Sequence, residues 1–536
     1  MEIQVKNLDH LGIVAGIVDE IGLVEEIERQ IPQHPQQIIS TAQVVKAMIL
    51  NGLGFVSAPL YLFGEFFVGK ATEHLLGKGI QPEHLNDDRL ARALDDLWNK
   101  GLSEVFTSIA LKAYRRFGLQ SKSVHLDSSS ISVEGQYEMA EESESDGEPT
   151  PIKITYGYSK DHRPDLKQFL VDVICSGDGD VPLFMRIADG NEADRAVFAK
   201  LMRKFKQQWN FESVYVADSA LYSQENLQQL GEIKWITRVP ATIKEAQKLL
   251  NSLEEEEFVS SQLPGYRIAC CQSDYAQVPQ RWLIVESEKR KQSALLQLEK
   301  RIAKQLKQAQ QQLRQLSQQE FACAQDAQQA ATKLARRWKY HALEAIEIKT
   351  HSHYPKPGRP AKGQQPQLSY QVVAIIVPQD EAIRLAQRRA GRFILATNLL
   401  DSTILSDDEI LQEYKGQQSC ERGFRFLKDP LFFTSSVFLN TPQRVAALAM
   451  VMGLCLLVYT LGQRQLRQTL AKEQQTIDNQ LGKPTATPTL RWVFQCFQAI
   501  HIVDLNCQLQ ISNLTDKRLW ILNFLGASCQ KYYLLC

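Results

Sequence analysis

The sequence predicts an α/β fold: a mixed-sheet core interrupted by a large insertion, with helical regions at both ends. Three observations predict it. Residues 120–240 alternate short β-rich runs with amphipathic segments. The stretch from Asp218 to Glu421 is far longer than a core crossover needs. Both ends of the chain carry apolar residues at helical spacing, with polar residues that start and stop helices around them.

Taken in order, residues 1–115 read as a helical domain. Thr41-Ala-Gln-Val-Val-Lys-Ala-Met-Ile-Leu50 has helical spacing, and a turn bearing Gly52, Gly54 and Pro59 follows. Asn86 opens a second capped helix that runs to Asp95. Short helices joined by such turns suit either a DNA-binding helix-turn-helix or a bundle with no DNA role, and the residues do not separate the two.

Residues 120–240 form the first part of the core. Runs at 123–133, 167–175 and 182–187 read as consecutive strands, and Glu192 to Phe205 as a helix. A strand ends at Asp218, and another covers Lys234 to Val239. Three strands, a helix, a strand, a helix and a strand is the order of an RNase H-like core. Its first and fourth strands lie together at the centre, which makes Asp127 and Asp218 neighbours. Between the first two strands, Glu138 to Glu148 holds six acids in eleven residues and reads as a solvated loop.

Residues 241–390 read as an inserted domain, β-rich and helical. Tyr266-Arg-Ile-Ala and Arg281-Trp-Leu-Ile-Val-Glu286 look like strands. The Gln-, Lys- and Ala-rich middle, 288–345, is helical: either a solvated coiled-coil hairpin or an arm that touches DNA or a second subunit. Residues 391–465 return to the core and carry the helix that bears Glu421. Val445 to Gly462 is eighteen residues without a charge, against the roughly 20 that a membrane span needs. It stands alone at that length and reads as a buried helix, so no membrane partner is expected. Residues 466–536 form a C-terminal helical region.

Lysine plus arginine equals aspartate plus glutamate, 61 against 61. A nucleic-acid protein often shows a basic excess; here any basic surface has to come from segregation along the chain. The ten cysteines include no Cys-x-x-Cys pair, so neither a zinc site nor a disulfide framework is indicated. Met1-Glu-Ile-Gln-Val-Lys shows no signal peptide, and a reducing cytoplasm is the expected location.

The chemistry concentrates in Tyr414-Lys-Gly-Gln417-Gln-Ser-Cys-Glu421-Arg-Gly-Phe-Arg425-Phe-Leu-Lys428. Ser406-Asp-Asp-Glu409 ahead of it is a capping box. At about 100° per residue, Tyr414, Gln417, Glu421, Arg425 and Lys428 fall within about 80° of one another on one helix. A core-packing helix would put apolar residues there. Asp127, in a β-rich run, and Asp218, at the end of an apolar strand, are the other two acids. Three oxygen donors suit Mg²⁺ or Mn²⁺ and not zinc.

The pattern Tyr-x2-Arg-x3-Glu-x6-Lys marks a large branch of bacterial insertion-sequence DDE transposases. The sequence resembles it at Tyr414, Glu421 and Lys428, with Gln417 where that family has Arg. Tyr156-Gly-Tyr-Ser-Lys-Asp-His-Arg-Pro-Asp165-Leu-Lys-Gln168, the stretch around Asp218, and Glu83-His-Leu-Asn-Asp-Asp88-Arg-Leu resemble the same branch. The resemblance covers most of residues 1–465. It implies an RNase H-like core and a transposase that cuts and rejoins DNA at the ends of its element. Two divalent ions would be held by Asp127, Asp218 and Glu421, with Asp127 bridging. Double-stranded DNA is the implied partner, at element ends and target, with a homodimer formed on it. Arg425 and Lys428 would bind phosphates, with Tyr414 and Gln417 on the same face; glutamine there lacks the charge of a guanidinium clamp. Gly358-Arg359-Pro360, flanked by Lys356 and Lys362, resembles an AT-hook, or is a proline-stiffened linker. Two other functions keep the same fold: a nuclease without strand transfer, and a catalytically silent DNA-binding descendant.

Overall fold

The structure is a computed structural model. It describes residues 3–55, 63–135, 137, 150–160, 162–209, 212–353, 366–429, 439, 441–505 and 508–535. The acidic tract 138–148 and Arg359 lie outside the described residues. The chain forms two compact units, one of Met1–Thr237, Tyr275–Val278 and Gln412–Cys536, the other of Arg238–Asp274 and Pro279–Leu411.

The first unit is built on strands β1 (Ser123–Val133), β2 (Lys167–Ser176) and β3 (Pro182–Ala188), helix α1 (Asp194–Trp209), strand β4 (Val214–Ala217), helix α2 (Gln224–Leu230) and strand β5 (Trp235–Arg238). The spatial order is β3-β2-β1-β4-β5. β1, β2 and β3 pair antiparallel, and β1–β4 and β4–β5 pair parallel. This is the expected RNase H-like order. β1 is buried at nine of its eleven positions, as a central strand covered on both faces has to be. Phe205 and Trp209 of α1 cap one face through Tyr215 of β4, the Phe205 and Tyr215 rings lying 6.1 Å apart.

The second unit holds strands β6 (Tyr266–Ser273) and β7 (Gln280–Ser287), helices α3 (Glu288–Gln318) and α4 (Ala324–Ala335), strands β8 (His341–His353) and β9 (Gln367–Pro378), and strand β10 (Arg392–Thr397). β10, β7 and β6 form an antiparallel sheet, with Leu283 of β7 opposite Leu395 of β10 and Cys270 of β6. β8 and β9 make a separate two-stranded ribbon. The Gln-rich stretch is therefore no coiled-coil hairpin. α3 and α4 differ greatly in length, and both pack on the ribbon, where Ala327 and Ala331 of α4 and Val372 of β9 close a small core.

Helices α5 (Asp407–Gly416), α6 (Gln418–Leu427) and α7 (Pro442–Lys472) complete the labelled elements. Among the described residues α7 alone is long and apolar enough to cross a membrane, and 89% of its apolar window is buried inside the protein. It runs beside β3 and the N-terminal helix Leu102–Arg116. Gly453 permits that approach: a Cβ there would lie 2.1 Å from the Met185 sulfur. The N-terminal helices start where the sequence indicates. Ser40 and Gln43 form a capping box, and Asn86 accepts a hydrogen bond from the Arg89 N–H.

The two ends of the chain depart from the all-helical expectation. Ile3–Asn7 pairs antiparallel with His501–Leu505, which pairs with Gln508–Ser512. The partner that makes His501–Leu505 a strand lies at the far end of the chain, so local periodicity carries no sign of it.

Candidate active site

Asp127 sits in mid-β1, and Asp218 directly follows β4. Leu126 and Ala217, the residues before them, are register partners in the parallel β1–β4 pair. Strand pairing alone therefore makes these two carboxylates neighbours. Each is held by the backbone just after it: Asp127 Oδ1 accepts from the Ser128 N–H (2.9 Å) and Asp218 Oδ1 from the Ala220 N–H (2.9 Å). The Thr237 hydroxyl of β5 donates to the Asp218 carbonyl at 2.6 Å and fixes the end of β4.

Glu421 arrives on a helix. Ser406 and Glu409 form the capping box that starts α5: the Ser406 N–H donates to the Glu409 carboxylate at 2.8 Å, and the Glu409 N–H to Ser406 Oγ at 3.3 Å. The single helix expected from Tyr414 to Lys428 is interrupted at Gln417. Bonds from Gln417 N–H to the Tyr414 carbonyl and from Cys420 N–H to the Gln417 carbonyl (both 3.2 Å) tighten the chain locally. Beyond the break, Cys420, Phe424 and Leu427 are buried, while Glu421 and Arg425 are exposed. The buried row docks α6 on the sheet. Cys420 Sγ donates to the His125 carbonyl at 3.1 Å, and Gly416 lies against the His125 ring, where a Cβ would meet its Cε1 at 3.0 Å. Since His125 is two residues before Asp127, this docking brings the exposed row of α6 to the Asp127 position of β1.

A cavity of about 710 Å³ results, lined by Asp127, Ser128, Ser129, Lys160, Asp218, Glu421, Phe424, Arg425, Lys428 and Asp429. Of the residues singled out by sequence, Asp127, Asp218, Glu421, Arg425 and Lys428 line it together. Tyr414 and Gln417 do not, and Gln417 is only 8% exposed. Burial raises the Asp127 carboxyl to about 7; Lys160 pulls it down, while the charges of Asp218 and Glu421 push it further up. Asp218 and Glu421 thus both act electrostatically on Asp127.

Lys160 is the site residue that sequence reasoning missed. It lies in a turn with no periodic signal, and only its place in the Tyr156–Gln168 stretch pointed to it. Its position is structural in origin. Thr155 bridges to Gln168 of β2, and Gly157 passes Gly190 so closely that a Cβ would lie 2.1 Å from the Gly190 carbonyl. The turn then runs back along β1: the Lys160 N–H donates to Ser130 Oγ at 3.0 Å, and its ammonium bonds the Ser128 carbonyl.

His125 is buried and held neutral, its imidazole lowered by desolvation to about 4. Its Nε2 meets Ser123 Oγ at 3.2 Å, and Ser123 in turn donates to Glu413 of α5. It packs the rear of α5 and α6 and does not line the cavity.

Two family models match the sequence. One, described as a transposase DDE domain, covers residues 122–460. The other, described as a domain of unknown function (DUF4277), covers residues 3–111. No curated protein matches the chain. Among solved structures, a piggyBac transposase synaptic complex with hairpin DNA, determined by cryo-EM, aligns over 99% of this chain and 84% of that one. Its identity is 8% and its TM-score 0.39.

Proposed function

The chain belongs to the DDE transposase family, and from that premise we propose that Asp127, Asp218 and Glu421 are its catalytic carboxylates. They would cut DNA at the ends of its element and join the freed 3′-hydroxyls into new DNA. One observation carries the assignment: three acids from distant parts of the chain face one open cavity, and two of them shift the acidity of the third.

DDE transposases use divalent metal ions. The donor set here fits Mg²⁺ or Mn²⁺, being all carboxylate oxygen. Burial and like charge destabilise the Asp127 anion, which a cation would relieve. Among the described residues no three His, Cys, Asp or Glu side chains are grouped to hold one ion together. Asp127, Asp218 and Glu421 would between them hold the ions. When bound, two such ions activate an attacking oxygen and neutralise the leaving one.

The chain's own cations complete the reading. Arg425 and Lys428 hold phosphates beside the scissile bond, where they position without reading sequence. Lys160 balances charge next to Asp127. On sequence alone, Arg359 would serve an AT-hook contact with a minor groove, the other reading of its segment being a proline-stiffened linker. Tyr414 and Gln417 support the α5–α6 junction. Two DNA ends are joined by two copies of the chain, and a protein acting on cellular DNA works inside the cell.

Asp127→Asn, Asp218→Asn and Glu421→Gln each remove several kcal/mol of transition-state stabilisation, roughly a thousandfold or more in cleavage rate. Duplex binding persists in all three. Metal-dependent cleavage at wild-type rate in any one overturns that residue's assignment. A pre-cut 3′-hydroxyl substrate separates strand transfer from hydrolysis: cleavage without joining would leave a nuclease.

A further inference from the structure

Helix α3 of the second unit has no part in the site described above, yet it is the most basic long element in the chain. Residues 288–339, which span α3, α4 and the turn after α4, hold twelve lysines and arginines against four acids. The N-terminal helical region, 1–116, holds eleven against fifteen. The neutral total therefore conceals a segregation of charge, and the basic share falls on the insertion.

The charges of α3 are ordered. At about 100° per residue, Lys300, Lys304, Lys307, Gln311, Arg314 and Gln318 fall within about 80° of one another. All six are exposed. The inner side is spoken for: Leu298 and Ala309 are buried, Gln312 accepts from the Trp338 indole N–H at 2.8 Å, and Gln305 accepts from the Tyr340 N–H at 2.8 Å. Glutamines on the inner side clamp the helix to the 338–341 turn, whereas those on the outer side alternate with cations. Between Lys300 and Gln318 the outer row contains no acid and no apolar residue. Among the described residues Lys300, Lys304, Lys307 and Arg314 make no ion pair. A row of cations without counter-charges, fixed on a rigid helix, concentrates positive potential at the surface.

We infer that the Lys300–Arg314 face of α3 is a docking surface for the phosphate backbone of duplex DNA, separate from the catalytic cavity. The inference rests on the transposase reading. Length and chemistry fit the partner. The fourteen steps from Lys300 to Arg314, at about 1.5 Å each, span about 21 Å, over half of a duplex turn of about 34 Å, along which phosphate charges recur every 1.7 Å or so. Lysine and arginine neutralise those phosphates, and the outer glutamines donate hydrogen bonds to the same oxygens. A membrane surface would call for an exposed apolar row beside the cations; among the described residues of α3 a single large apolar side chain, Leu296, is mostly exposed, and one residue makes no row. Contacts from this row to phosphate oxygens carry no sequence information, so the docking is independent of sequence.

The test uses the full chain carrying K300Q/K304Q/K307Q/R314Q, with K300R/K304R/K307R as the charge-retaining partner and thermal unfolding as the fold control. Binding to a 40-bp element-end duplex and to an unrelated duplex is measured across 50–200 mM salt. Four lost contacts make the slope of log K against log salt shallower by roughly 3 to 4, equally on both duplexes, and the arginine variant keeps the wild-type slope. A folded glutamine variant with unchanged slope and affinity overturns the surface. So does a change in oligomeric mass without a change in affinity, since the row would then meet a second copy of the chain. Wild-type cleavage is followed in parallel: its absence counts against the catalytic reading, whereas a normal salt slope in the glutamine variant of a cleaving enzyme counts against α3 alone.

Discussion

Two parts of the first unit supply the same functional group in different ways. Asp127 and Asp218 are set by backbone register, as successors of paired residues in adjacent parallel strands. Glu421 is set by side-chain docking through Cys420, Phe424, Leu427 and the bare face of Gly416. Register has no small errors, because slipping by one residue turns every side chain to the other face. Docking is graded, and a few tenths of an ångström at Gly416 move the helix. The strand acids form the fixed half of the site and the helix acid the adjustable half.

The sharpest way to break this comparison is Gly416→Val. Its branched side chain has to enter space held by the His125 ring, an overpacking cost of about 1–3 kcal/mol. If the helix yields, Glu421 retreats while Asp127 and Asp218 stay. Cleavage should fall by roughly five- to a hundredfold, with duplex binding intact. A Gly416→Val enzyme with wild-type activity would show that α6 is held elsewhere. The smaller probe is Cys420→Ala, which deletes the thiol donor to the His125 carbonyl and costs about 0.5–1.5 kcal/mol. It should raise the metal concentration needed for half-maximal cleavage by a few-fold; Cys420→Ser, which keeps a donor, should restore most of it.

The same division explains what the sequence made legible. Element order was enough to bring Asp127 and Asp218 together, because an RNase H-like order sets the first and fourth strands side by side. Helical spacing placed Glu421 and Arg425 on one face, because the period of a helix is fixed by its backbone. Spacing did not reveal the break at Gln417, whose backbone angles remain helical (φ −58°, ψ −22°); only the hydrogen-bond pattern changes there. Lys160 was hidden because loops have no period. It is placed by the close passage of Gly157 and Gly190, between residues far apart in sequence. The terminal strands were hidden by the same lack of local signal, as Ile3–Asn7 and His501–Leu505 specify each other only once the chain has closed.

The last comparison is within the fixed half, between Asp127 and the cation beside it. In the metal-free protein the folded Asp127 keeps its proton up to about pH 7, whereas an unfolded aspartate releases it near 3.9. Between these values the folded state binds more protons, so Asp127 costs stability as pH rises through that window. Asp127→Asn removes the cost: its melting temperature should exceed that of the wild type at pH 8 and match it at pH 4. Activity runs the opposite way, because only the ionised carboxylate can take a cation. At limiting metal, cleavage should therefore rise through about pH 7. Lys160→Met withdraws a cation that lowers the Asp127 carboxyl, so that rise should move to higher pH by a fraction of a unit. Loss of activity at every pH, with the midpoint unmoved, would mean that Lys160 serves by touching DNA and not through the acidity of Asp127.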